Sequence, residues 1–257
     1  MEKILQSQWF PTVVTLGILL LVWHFGVLWF KVPPYLIPSL GSVLEVFTSH
    51  GSLLAKETLV TTKELVGGFL LAVLTSVPLA LLMAYSRVAE RIVSPLVVIT
   101  QAIPKVALAP LLLVWFGFGM FPKVLMAAVI AFFPMLVSTV VGFKAIEPDV
   151  LALSRSMGAS AFKVFWMIRL PSALPSIFGG LKLAITFATI GAILGEFIAG
   201  DRGLGYLIQS ASGSQRTDVL FAGVIVISLL SVILYYLVEM AERRFIFWHQ
   251  SQALPVS

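Results

Sequence analysis

Few residues in this chain have the type and spacing that bond-making chemistry needs. Its three histidines, His24, His50 and His249, lie far apart, and it has no cysteine. No His-Glu-x-x-His pair, no Ser, His and Asp arrangement and no Gly-x-x-x-x-Gly-Lys-Ser/Thr phosphate loop is present. The sequence therefore predicts a chain that does not hydrolyse ATP and forms neither disulfides nor thiolate metal sites. Any uphill work must draw its energy from a partner. Three polar residues instead sit within long apolar runs: Gln101, Lys105 and Glu196. Polar groups at membrane depth are expensive and mark functional sites by default. Lys105 suits an anionic solute, but it suits equally well a snorkelling role or a bond to a carbonyl freed by the neighbouring prolines. Glu196 suits a gate or a solute contact, or equally a salt bridge with Arg202 or a neighbouring loop. His24, alone in the first apolar run, reads as a packed or interface-directed side chain.

The longest polar interruption in the second half is Glu147–Pro171, EPDVLALSRSMGASAFKVFWMIRLP, with Lys144, Arg155, Lys163 and Arg169 in or beside it. Pro148 suits the first position of a helix, where its missing N–H costs nothing, and Asp149 favours the positive end of the helix dipole. Leu151, Leu153, Ser154 and Met157 continue that helix, and Gly158 can take the left-handed conformation that ends it. Ser160 is an N-cap for a second short helix, expected to stop before Pro171. Two short helices set between membrane spans predict an element gripped by another protein.

The elements around these residues are membrane spans. The chain has 257 residues, 59% hydrophobic and 11% charged, the composition of a membrane protein. A bilayer core takes about 20 apolar residues per helix. Six spans are predicted, at about 12–30, 62–85, 92–116, 123–142, 175–199 and 219–240. They leave no room for a soluble domain, so residues 1–257 form one transmembrane domain. The run after Pro11 ends in Val32-Pro33-Pro34 without a small-x-small cleavage site and reads as an uncleaved first span. The net charge of +5 speaks to topology rather than to nucleic acid. Lys3, Arg87, Arg91, Lys144, Arg155, Lys163, Arg169, Arg243 and Arg244 outweigh Lys31, Lys56, Lys63, Lys123, Arg202 and Arg216. The first set, both termini and the Glu147–Pro171 loop are thus expected in the cytoplasm.

Several segments carry further signals. Leu36, Leu40, Val43, Leu44 and Phe47 predict a short amphipathic helix outside, on the membrane or against its own spans. The third span is broken by Ile103-Pro104-Lys105 and Ala109-Pro110, and broken helices survive in lipid only where protein or a water-filled cavity covers them. Phe132-Phe133-Pro134 is expected to kink the fourth. The fifth carries a stripe of small residues, Gly180, Ala184, Ala188, Ala192, Gly195 and Ala199, with a Gly-x-x-x-Gly at Gly191 and Gly195. Such a face suits close helix approach, either between subunits or within one. GLGYLIQ predicts a short outer helix, Phe245, Phe247 and Trp248 an aromatic belt, and the tail around Pro255 a disordered end.

The Glu147–Pro171 loop resembles the cytoplasmic Glu-Ala-Ala loop of binding-protein-dependent ABC importer permeases. That signature is Glu-Ala-Ala, three residues, Gly, nine residues, then Ile-x-Leu-Pro, and Gly158, Ile168, Leu170 and Pro171 fit it. Ala152, Leu153 and Ser154 replace the Glu-Ala-Ala triplet. QAIPKVALAPLLLVWFGFG, FFPMLVSTVVGFKAIEPD, LPSALPSIFGGLKLA and GEFIAGDRGLGYLI resemble the nitrate/sulfonate/taurine branch, over roughly residues 60–240.

The resemblance implies an all-α, six-span, type I ABC importer-like permease with a cytoplasmic coupling helix in the bacterial inner membrane. It implies two copies of an ABC ATPase holding ATP and Mg, an extracytoplasmic solute-binding protein and a second permease copy, most simply a homodimer. Leu151, Ser154, Arg155, Ser156, Met157, Gly158, Ala159 and Ser160 would then couple to the ATPase, while Gln101, Lys105 and Glu196 are candidates for the solute pathway. The solute class it implies is a small anion such as a sulfonate, taurine or nitrate. Relatives for neutral or aromatic vitamin precursors offer an alternative. A stand-alone secondary transporter is a further alternative, although no second copy of IPKVALAP accompanies the first.

Overall fold

The computed structural model describes residues 9–246, and all their regular structure is helical. The expectations placed on Lys3, Phe247, Trp248, His249 and Pro255 lie outside the described residues. In chain order the helices are α1 (Trp9–Trp29), α2 (Leu40–Ser49), α3 (Gly51–Tyr85), α4 (Arg87–Ala102), α5 (Leu108–Phe116), α6 (Met120–Lys144), α7 (Pro148–Ser156), α8 (Ala161–Val164), α9 (Leu170–Ala199), α10 (Leu204–Gly213) and α11 (Thr217–Phe245). A 3-10 turn, Lys105–Ala107, joins α4 to α5, and a π turn, Phe165–Arg169, joins α8 to α9.

The expected count of six spans is corrected. Four described helices are long and apolar enough to cross a membrane, and α4 with α5 makes a fifth only as a pair bent by 81°. The shortfall is at the first span. The apolar stretch of α1 within the described side chains, Val14–Trp29, is shorter than the roughly 20 residues a bilayer core needs. It meets the body through Trp23, whose indole N–H donates to the Pro38 carbonyl at 3.1 Å beside Phe221.

The second span begins at Gly51, not near residue 62, because nothing in 51–61 breaks a helix. Leu54, Glu57, Thr61, Leu65, Gly68 and Ala72 recur at steps of three and four and form its buried face. The expected surface helix, α2, starts at Ser39, whose hydroxyl accepts from the Ser42 N–H. It lies against its own spans: Val43 and Val46 pack with Leu204, Ile208 and Val219.

The core is a three-helix seam of α3, α6 and α9 built on small side chains. Ala72, Ala127, Ala131, Ala184, Ala188 and Ala192 are fully buried there with Leu65 and Met135. A Cβ on Gly191 would lie 2.5 Å from Ala127 Cα, and one on Gly180 would lie 2.8 Å from Ser138 Cβ. The small-residue stripe of the fifth span therefore serves packing within this chain, where backbones approach closely enough that only glycine fits. The helix α6 continues through Pro134.

Pro171 does not stop the second loop helix, contrary to expectation. A proline ring clashes with the carbonyl four residues earlier. Here the preceding turn is widened, with the Leu170 N–H donating to Phe165 O in a π turn. That expansion lets α8 run on through Pro171 into α9, giving one continuous helix over Ala161–Ile198.

Candidate functional site

Three places gather the residues singled out by the sequence. The first is the α7–α8 loop. Gly158 adopts φ +76°, its N–H donates to Arg155 O at 3.0 Å, and the Ala159 N–H donates to Ser154 O at 3.1 Å. These bonds satisfy carbonyls left open at the end of α7. Ser160 caps α8 as expected, its hydroxyl accepting from the Lys163 N–H. Arg155, Ser156, Met157, Gly158 and Ser160 are exposed, Leu151 and Ala159 half-buried. Ser154 faces inward, its hydroxyl donating to Val150 O at 2.6 Å.

The same loop adds exposed Val150 and Phe162, which the sequence reading passed over, to Leu153 and Met157, which it named. Val150, Leu153 and Met157 form a stripe at steps of three and four, with Leu153 62% and Met157 78% exposed. Phe162 stands exposed across the break. A cleft of about 380 Å³ between the two helices is lined by Met157, Gly158, Lys163 and Met167. Helical spacing of 150, 153 and 157 was the signal that could have found this stripe.

The second place is the elbow between α4 and α5. Pro104 disfavours helix at Ile103, which leaves α4 with φ −72° and ψ 126°. The chain then turns through Lys105–Ala107. Gln101 and Lys105 both line a cavity of about 320 Å³ with Phe133, Pro134 and Phe187. The Lys105 ammonium lies 5.2 Å from the centre of the Phe133 ring. Such a cation–π contact is worth about 0.5–1 kcal/mol at an exposed site, too little to withhold the charge from an anion.

The third place is at the other end of α3 and α9, and Glu196 belongs to it rather than to the elbow cavity. Glu196 is fully buried. Its Oε1 accepts from the Thr61 hydroxyl at 2.6 Å and its Oε2 from the Gly205 N–H at 2.5 Å, so the expected partner Arg202 is replaced by a hydroxyl and a backbone amide. Beside it Lys123, also buried, pairs with Glu64 at 3.1 Å and Asp201 at 3.5 Å, and donates to the Arg202 carbonyl. Glu57 accepts from the Gly203 N–H at 2.6 Å. Three glycines make room for this cluster: a Cβ at Gly200, Gly203 or Gly205 would run into Glu196. Glu57, Thr61, Glu64 and Lys123 were missed as a group by sequence reasoning. The glycines following Glu196 were the available sign.

At the opposite end, Lys144 pairs with Glu90, and the Arg169 guanidinium stacks 4.6 Å over Tyr85.

Comparison with known proteins agrees with this architecture. Residues 76–247 match the family model described as "Binding-protein-dependent transport system inner membrane component". The riboflavin transport system permease protein of Chloroflexus aurantiacus is 37% identical over 93% of this chain and 90% of its own. The taurine transport system permease protein of Escherichia coli is 30% identical over 91% and 88%. A structure of the inward-facing MetNI methionine ABC transporter superposes with a TM-score of 0.62 at 21% identity, over 76% of this chain and 95% of that one. The fold is thus that of ABC importer permeases, and similarity does not single out the nitrate/sulfonate/taurine branch. The chain belongs to the family of binding-protein-dependent transport system inner membrane components, the permease subunits of ABC importers.

Proposed function

We propose that this chain, paired with a second copy of itself, forms the pathway for a small anion and receives its driving force through the α7–α8 loop. Permease subunits of this family are non-catalytic, and separate ATPase subunits hydrolyse the ATP. The observation that carries the docking site is the exposed stripe Val150, Leu153 and Met157 on a polar loop outside the spans. Apolar side chains in such a place mark a protein contact. The excess of Lys and Arg at this end supports a cytoplasmic loop and cytoplasmic termini, with an extracytoplasmic solute-binding protein at the opposite end.

The anion reading rests on Lys105, which brings a positive charge to the elbow cavity. A sulfonate, taurine or nitrate fits that charge. A second reading has its own support: Phe133 and Phe187 give the cavity aromatic walls, and a relative of 37% identity is named for riboflavin transport. Reconstitution of the purified complex in liposomes discriminates the two. ATP-dependent uptake of taurine or nitrate with a KM raised in Lys105→Gln supports the anion. Uptake of riboflavin, unchanged in Lys105→Gln, overturns it in favour of the aromatic solute.

A further inference from the structure

The buried cluster around Glu196 is built on an unusual feature of α10. The first N–H groups of a helix have no partner within it, and here three successive ones are taken by side chains from two other helices. Glu57 of α3 accepts from Gly203 at 2.6 Å, Thr61 of α3 from Leu204 at 2.8 Å, and Glu196 of α9 from Gly205 at 2.5 Å. Thr61 joins the two carboxylates' work, because its single hydroxyl also donates to Glu196. The partners lie 146 and 143 residues apart in sequence at Glu57–Gly203 and Thr61–Leu204. Leu204, Ile208 and Ala211 are buried against α2 and α11, so α10 is held along one face as well as by its start, while its far side, including Gln209, stays exposed.

The helix that carries Glu196 is the one that runs unbroken from Ala161, beside Gly158, to Ile198. At 1.5 Å per residue its 38 residues span about 57 Å. One continuous helix thus connects the α7–α8 loop to the carboxylate that caps α10.

We propose that Thr61, with Glu57 and Glu196, is a positioning residue for transport: it clamps α10 to α3 and α9, so that the nucleotide state felt at the α7–α8 loop sets the position of α10 on the opposite face. This rests on the α7–α8 loop being the ATPase contact. Coupling of this kind requires a second arrangement of the clamp, with these bonds exchanged for water, that the nucleotide state favours or disfavours.

The test uses the complete complex with cysteine-free partner subunits and a spin label on Gln209→Cys, which is then the one cysteine in this chain. The probe is Mg-ATP with vanadate against the nucleotide-free complex. The unsubstituted clamp is expected to give a nucleotide-dependent change in the label's spectrum. Thr61→Ser, which keeps both hydrogen bonds, is expected to retain it. Thr61→Val, which keeps the shape and removes both, is expected to reduce the change at least about fivefold, the lower end of ordinary coupling, with ATP hydrolysis itself retained. A change that survives Thr61→Val, is lost equally in Thr61→Ser, or is absent from a complex that hydrolyses ATP overturns the proposal. If Thr61→Val does not assemble, Glu57→Gln and Glu57→Leu form the second pair, response retained in the first and lost in the second. Equal responses in that pair overturn the proposal. A chain that purifies without any ATPase instead refutes the function on which the proposal rests.

Discussion

Replacement of Gly158 isolates one physical effect. The residue sits at φ +76° between two cap hydrogen bonds, and a Cβ built there meets nothing within 4 Å. Sterics with neighbours therefore contribute nothing, and only backbone strain remains. An L-residue in the left-handed region costs about 1–2 kcal/mol, which lowers the population of this loop conformation about five- to thirtyfold. Asparagine tolerates the region better than alanine, and a β-branched side chain worse. If the ATPase grips the loop in this conformation, its apparent affinity falls by the same factor, in the order Gly, Asn, Ala, Val. The assay is titration of purified ATPase onto the permease in lipid nanodiscs, with membrane insertion as the control. Gly158→Val binding as tightly as Gly158 would refute the reasoning.

Other outcomes follow from the same structure. Lys123→Met leaves the buried carboxylate of Glu64 without its lysine and should destabilise the chain by about 3–5 kcal/mol, read as a lower melting temperature in detergent; an unchanged melt would contradict the buried pairing. Gly205→Ala places a Cβ 2.8 Å from Glu196 Oε2 and should cost about 1–3 kcal/mol through the displaced carboxylate, again by thermal melting. Lys105→Ala should raise the KM for an anionic solute about tenfold, as loss of one hydrogen bond to a charged group does, in liposome uptake. Single cysteines at Ser156 and Gln209, both exposed, should react with an impermeant maleimide from opposite faces of the membrane; labelling of both from one side would overturn the topology.

What was legible in the sequence was local. Pro148, Gly158 and Ser160 punctuate the loop through their own backbone preferences, and all three act within a few residues of themselves. The Ile103-Pro104 break and the short helix at GLGYLIQ are likewise written in adjacent residues. What was not legible depended on partners far along the chain. Lys56, Glu57, Lys63 and Glu64 look like loop composition, and the hidden face of α3 makes sense only once the N–H groups of Gly203–Gly205 and the Lys123 ammonium are known to face it. Pro171 reads as a stop because a proline's clash is local, whereas the π turn that absorbs it is a choice made by five preceding residues. The role of the Gly191 stripe stayed open until Ala127 was seen against it, because small residues suit a seam within a chain as well as one between chains.

The proposed function turns on an ATPase gripping the exposed stripe Val150, Leu153 and Met157. Its most direct test is purification of the tagged chain from its native membrane, with quantitation of what accompanies it, for the native chain and for Leu153→Glu with Met157→Glu. The native chain is expected to bring with it an ATPase that has a phosphate-loop sequence, and the double variant none, at equal membrane abundance. A chain that comes out alone, or a double variant that keeps its ATPase, would contradict the proposed function.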